Sequence, residues 1–256
     1  MDKNNCNKLA KAVTKAGIIL MESGAETYRV EETMERICLA YGASVVDSYA
    51  TPTMLLISFS LDDELYHNIK RIKKIKGVDL TKIDKVNSLS RYVSNNALEL
   101  DEFVNILNEI DKEPKYSFKM NLFAAFICTM GFVFFFKGNI NDMIVACAIG
   151  VLVKFLSVIL DKIEFSPFFS NVFLSMLITV CSIMSEYIHF ADKNIVNISV
   201  IMLLVPGLAI TNAIRDTVNG DLISGLTRTT EAIFVAIALA LGSGLAFIIM
   251  GGVLGV

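Results

Sequence analysis

Residues 205–232 read VPGLAITNAIRDTVNGDLISGLTRTTEA. A Pro-Gly pair, two arginines, two aspartates and a glutamate crowd a connection between two long apolar runs, and the placing of this stretch decides how the chain is divided. Proline removes an amide donor and disfavours helix, so an apolar run that enters here must bend or unwind near Pro206. Backbone groups loosened inside hydrocarbon must be satisfied by protein or line a polar cavity.

Outward from this stretch, composition sets the class. Hydrophobic residues make up 54% of the 256, and the mean hydropathy of +0.58 lies outside the soluble balance. Charge is uneven: of 49 charged residues, 34 fall in the first 116 positions. A water-facing domain over 1–116 therefore precedes a bilayer domain over 117–256, with Pro114 at the seam. Runs of ~20 nearly uncharged residues, enough to cross ~30 Å, occur at 118–136, 140–160, 168–188, 195–214 and 229–253. The fold class expected is an α+β cytoplasmic N-terminal domain followed by an α-helical membrane bundle of about five transmembrane helices. Lys112, Lys115, Lys119, Lys162, Arg215 and Arg228 lie on one side, with Lys137 and Lys193 opposite. The positive-inside bias places the N-terminus in the cytoplasm and the C-terminus outside. The first twenty residues carry no secretory signal.

In the N-terminal domain, Leu9, Val13, Ala16 and Leu20 share one helical face, and Val30, Met34, Ile37, Cys38 and Tyr41 another. Ser23, three residues before Glu26, has capping-box spacing, and Gly42 suits a helix stop. Residues 44–71 read as a small sheet, and helices are expected over 80–93 and 98–110. His67 has no nucleophile motif beside it, so an enzyme is not expected. Cys6, Cys38, Cys128, Cys147 and Cys181 form no C-x-x-C pair, and neither metal, disulfide framework nor cofactor is expected. A net charge of −3 without a basic block argues against nucleic acid.

Several membrane positions have two readings. Lys154 either snorkels toward the Asp161 end of its helix or faces the bundle and meets an anionic substrate. Glu186 and His189 either relay a proton or anchor the interface with Tyr187. Asp142 reads as a solvated helix start. Ala232, Ala236, Ala240 and Gly244 form a small-residue ridge, extended by Gly251 and Gly255, for packing within the chain or against a partner.

The segments GAETYRVEE (24–32), TPTMLLIS (51–58) and VPGLAITNAIRDTVNGDLISGLTR (205–228) resemble the threonine/serine exporter family of bacterial inner-membrane proteins, in order along nearly the whole chain. The resemblance implies secondary transport: export of small polar metabolites, threonine and serine or a C4-dicarboxylate such as succinate, coupled to the ion gradient. Longer members carry a second helical bundle that split members place in a separate small subunit, so a membrane partner is implied beside the lipid bilayer and the small-molecule substrate. The motifs mark Pro206, Gly207, Asn212, Asp216, Gly220, Gly225 and Arg228 as substrate-site candidates. Arg228 would take a carboxylate, and Asp216 an ammonium or coupling proton. Glu186 and His189 are further ion-coupling candidates. Glu22, Gly24, Glu26, Thr27 and Glu31 mark a motif in the N-terminal domain, where carboxylates at a helix start also suit the macrodipole. The competing readings are a membrane-tethered enzyme and a regulatory or scaffold protein acting through that domain.

Overall fold

The structure, a computed structural model, describes residues 3–72, 77–96, 98–114 and 116–254. The chain forms two units: Met1–Pro114 with Gly207–Thr230, and Lys115–Pro206 with Glu231–Val256. The segment after Pro206 thus folds with the first 114 residues, where a single division at 116 was expected.

The first unit begins with helices α1 (Lys3–Glu22) and α2 (Thr27–Ala40). Leu9, Val13, Ala16 and Leu20 of α1 and Val30, Met34, Ile37 and Cys38 of α2 are buried, as their periodicity requires. A Cβ on Gly17 would fall 2.5 Å from Met34 Sδ, so the helices meet at a glycine. α2 stops at Gly42 (φ +92°) in a Schellman motif, with Ala43 N–H bonded to Cys38 O and Gly42 N–H to Leu39 O. The antiparallel meander β1 (Val45–Thr51), β2 (Met54–Leu61), β3 (Glu64–Arg71) follows in order 1-2-3. Along β2, Leu55, Ile57, Phe59 and Leu61 are buried on the face toward the helices. Asp62 and Asp63, both at positive φ, turn β2 into β3. Helices α3 (Leu80–Asn95) and α4 (Leu100–Lys112) complete the layer through Phe103 and Leu107.

Helices α5 (Phe118–Phe135), α6 (Ile140–Lys162), α7 (Pro167–Tyr187) and α10 (Leu222–Leu254) are the four, among the described residues, long and apolar enough to cross a membrane; the first three and α10 from Glu231 onward belong to the second unit. The fifth expected span is corrected. Residues 195–214 split into α8 (Lys193–Ile201) and α9 (Gly207–Val218), each well short of ~30 Å at ~1.5 Å per residue. Pro206 is the cause: it has no N–H to give and biases Val205 away from the helical region.

Asp142 is not a solvated start. It is fully buried in a capping box with Asn139, and its Oδ1 accepts the Asp192 amide at 2.8 Å, tying the α7–α8 connection to the head of α6. The small-residue ridge is mostly turned outward: Ala232 is buried, whereas Ala236, Ala240 and Gly244 are exposed. α10 packs through Leu239, Gly242 and Ala246 instead, and a Cβ on Gly242 would sit 2.0 Å from Ser175 Oγ and 2.2 Å from Val172 O. Gly255 lies outside the described residues.

Gly242→Val should therefore lower the thermal midpoint of the detergent-solubilised protein, an overpacking cost of about 1–3 kcal/mol. Gly244→Val, with nothing within 4 Å of its Cβ, should leave the midpoint unchanged.

Candidate functional site

The turn between α1 and α2, residues 23–27, is where the first motif acquires its geometry. α1 ends in a Schellman motif, with Ala25 N–H to Leu20 O at 3.0 Å and Gly24 N–H to Met21 O at 3.1 Å. Gly24 takes φ +83°, and a Cβ there would press on Val78 at 3.3 Å. The expected Ser23 capping box does not form: α2 starts at Thr27 with Glu26 as N-cap, and the Glu26 side chain makes no capping bond. Gly24 has already reversed the chain, so Ser23 is too far back to reach the first amides of α2.

The cap comes from the other end of the sequence. Asp216 on α9 accepts the Thr27 amide at 3.0 Å through Oδ1 and the Thr27 hydroxyl at 3.2 Å through Oδ2. A carboxylate at a helix N-terminus meets both an orphan amide and the positive end of the macrodipole. Asn212, one turn earlier on the same face, donates Nδ2 to Gly24 O at 2.8 Å. Arg215, which the sequence marks only as a loop charge, pairs with Glu26 Oε1 at 2.6 Å, and Arg29 closes on Glu26 Oε2 at 3.1 Å.

Arg228, in the second turn of α10, donates Nη2 to Ala25 O at 2.7 Å and lies 3.4 Å from Met21 Sδ. Its Nε is 3.0 Å from Asp216 Oδ2, an ion pair whose N–H is not aligned for a hydrogen bond. Two glycines bring Arg228 there by different means. Gly220 ends α9 in a third Schellman motif at φ +96° with open space around it, so it reverses the chain and is not a point of close approach. Gly225 is the close approach: a Cβ would lie 2.1 Å from Thr217 Oγ1 and 3.0 Å from Ala213 O. Pro206 and Gly207 stand at the break, ahead of the polar face of α9.

Asp216 is fully buried and Arg228 is 4% exposed, so each charge depends on the other and on the turn. Burial works against the Glu26 carboxylate, yet its backbone hydrogen bond, Arg215 and Arg29 outweigh burial and hold its pKa below the usual value. Glu31, one turn into α2, is pushed up to about 7 by burial; its bond from the Ala50 amide at 2.7 Å opposes this, and the charges of Asp221, Glu35 and Asp216 add to it. Asp221 is raised by burial and by Asp216.

The structure thus gathers Gly24, Glu26, Thr27, Asn212, Asp216, Gly225 and Arg228 in the first unit, with Glu31 beside them. Glu22 lines a separate cavity of about 450 Å³ with Lys11, Lys15 and Asp111. Glu186 and His189 lie in the second unit, where α7 ends at Tyr187 and His189 takes φ +56°. Glu186 pairs with Lys193 at 2.5 Å, and both line a cavity of about 440 Å³ with His189 and Phe247. Among the described residues no group of acids, histidines and cysteines is arranged to hold a metal. The pairing of the two motifs was missed in the sequence, although the opposite charges of Glu26 and Arg215 were a signal of it.

The family model described as "Putative threonine/serine exporter" matches residues 11–250. The chain belongs to the threonine/serine exporter family. A curated Mycobacterium tuberculosis (strain ATCC 25618 / H37Rv) relative, "Probable threonine/serine exporter", is 20% identical over 245 residues, covering 94% of this chain and 46% of that protein. The chain therefore spans about half the length of this curated relative. No solved structure matches it. The exporter-family match includes both motifs that meet at the turn, and it accords with the four apolar helices.

Replacing one member of the buried pair, as in Asp216→Asn or Arg228→Met, should cost about 3–5 kcal/mol of stability. Asp216→Leu combined with Arg228→Met should recover part of that loss in thermal unfolding, though not the part due to the Thr27 cap. Glu31 predicts a pH dependence. Its folded pKa of about 7 exceeds the ordinary 4.5, so the folded state binds the proton more tightly, and stability falls as pH rises from about 4.5 to 7. The unfolding midpoint of Glu31→Gln should match wild type at pH 4.5 and exceed it increasingly up to pH 8.

Proposed function

We propose that this protein is one part of a secondary exporter of small polar metabolites, threonine and serine or a C4-dicarboxylate, driven by the ion gradient across the bacterial inner membrane. Membership of the exporter family over residues 11–250 is the observation that carries this reading. Four apolar helices and a membrane-apolar run broken at Pro206 support it, because broken helices recur at transporter binding sites. The first unit faces the cytoplasm, following the loop charges.

In this reading Asn212, Asp216 and Arg228 alternate between the 23–27 turn and the substrate. A substrate carboxylate competes with Ala25 O for Arg228, and an ammonium or coupling proton competes with Thr27 for Asp216. Glu186 and His189 serve as a lesser ion-coupling pair. A second membrane subunit supplies a further bundle. The exposed Ala236, Ala240 and Gly244 ridge supports this, since small residues let membrane helices approach closely. The burial of the Asp216–Arg228 pair favours a second reading, in which the network only joins the post-break segment to the turn.

Proteoliposomes holding this chain together with the partner bundle should show gradient-dependent efflux of labelled serine, threonine or succinate. No flux with any of the three would refute the exporter assignment. Asn212→Ala and Arg228→Lys should raise KM about tenfold or more if these residues touch substrate, the loss expected for one charged hydrogen bond. A fall in kcat at constant KM would instead select the joining role.

A further inference from the structure

Within the second unit, a cavity of about 260 Å³ is lined by Asn121, Cys128, Lys154, Ser157, Leu203 and Leu204, among others. Among the described residues no carboxylate lines it, and Lys154 takes part in no ion pair. An ammonium on an apolar membrane helix without a counterion needs an explanation. Snorkelling toward Asp161 and Lys162 runs against the helix geometry. Lys154 is eight residues, about 12 Å along the axis, from Lys162, and helical side chains lean toward the N-terminus, away from that end. The half-buried lysine lines the cavity instead.

The other walls are built for a small polar guest. Ser157, at i+3, shares the face of Lys154. Asn121 commits its Nδ2 to Tyr116 O at 3.2 Å, which leaves Oδ1 as an acceptor. Leu203 and Leu204 belong to the unwound stretch after α8, where the chain makes tight bonds from Leu203 N–H to Val200 O and from Leu204 N–H to Ile201 O. Gly150, one turn before Lys154, draws α5 and this stretch inward: a Cβ there would meet Thr129 Oγ1 at 2.3 Å and Leu203 Cδ1 at 3.3 Å. The volume falls below the ~300 Å³ at which drug-sized pockets begin, a scale that suits a metabolite of a few carbons.

We infer that this cavity is a carboxylate-binding station of the membrane bundle, in which the Lys154 ammonium and the Ser157 hydroxyl hold an anionic group of the transported metabolite. Asn121 Oδ1 receives a donor at the other end of the guest, such as an α-ammonium or α-hydroxyl. The assignment rests on the exporter reading for the guest's identity, but the cavity lined by Lys154 without a carboxylate among the described residues stands on geometry alone.

Cys128 lines the same cavity and is exposed, whereas Cys6, Cys38 and Cys147 are buried. It serves as a built-in reporter on the full-length chain, read by mass spectrometry of its own peptide. An anionic methanethiosulfonate reagent should modify Cys128 about tenfold faster than a cationic one, because a charged cleft concentrates counter-ions. That ratio should collapse in Lys154→Gln and persist in Lys154→Arg. Millimolar serine, threonine or succinate should slow the modification in wild type. In flux assays Lys154→Gln should raise KM about tenfold while Lys154→Arg stays near wild type. An unchanged reagent ratio in Lys154→Gln overturns the site, and so does a Cys128 that none of the three metabolites protects. Absence of wild-type flux would remove the exporter reading alone, since the reagent ratio and the protection still decide the cavity's charge and its guest.

Discussion

The buried pair of Asp216 and Arg228 is the constraint around which the first unit is arranged. Two charges withdrawn from water are tolerated only where their remaining hydrogen-bonding groups are met. Asp216 receives the Thr27 amide and hydroxyl together with the Arg228 charge, and Arg228 finds the Ala25 carbonyl. None of these partners would be available if α1 ran straight into α2. The Gly24 stop turns the carbonyls of Gly24 and Ala25 outward and leaves the first amide of α2 uncapped by its own sequence. The turn and the α9–α10 segment are therefore two halves of one construction, although they lie nearly two hundred residues apart in sequence.

This construction also accounts for the break at Pro206. A continuous helix from 193 to 218 would extend about 39 Å at ~1.5 Å per residue and would carry Asn212, Arg215 and Asp216 on one face of an otherwise apolar rod. Hydrocarbon penalises such a face severely. Interrupting the helix before Gly207 lets an apolar piece, α8, pack with the bundle through Val196 and Val200 while the polar piece, α9, folds with the first unit. One proline separates segments that belong in different surroundings.

The parts legible in the sequence were those governed by local periodicity. The α1 and α2 core faces follow from a 3.6-residue pattern, the small sheet over 44–71 from its β-branched and aromatic content, and four of the apolar spans from runs of ~20 nearly uncharged residues. The parts that escaped were settled by distant contacts. Ser23 and Glu26 had capping-box spacing, but Gly24 changed the chain direction between them and a carboxylate 189 residues away took the role. The ridge of Ala236, Ala240 and Gly244 fits a packing motif, yet the face chosen was that of Gly242, because the α7 backbone at Val172 approaches there. Asp142 looked like a wet helix start because nothing local announced that the Asp192 amide would need its free oxygen.

The two charged centres differ in a way that bears on what each can handle. Asp216 and Arg228 neutralise one another, so a zwitterion that displaced the turn would exchange one set of paired charges for another and leave no bare ion. A guest with only carboxylates would satisfy Arg228 but confront Asp216 with a like charge. Lys154 is the reverse case. Its cavity holds a cation with no acid among the described lining residues, so on the proposed reading the arriving carboxylate is itself the missing counterion, and the polar remainder of the guest meets the neutral Asn121. On the proposed reading, discrimination between amino acids and dicarboxylates falls to Asp216, whereas the bundle cavity would take any small carboxylate able to fill it.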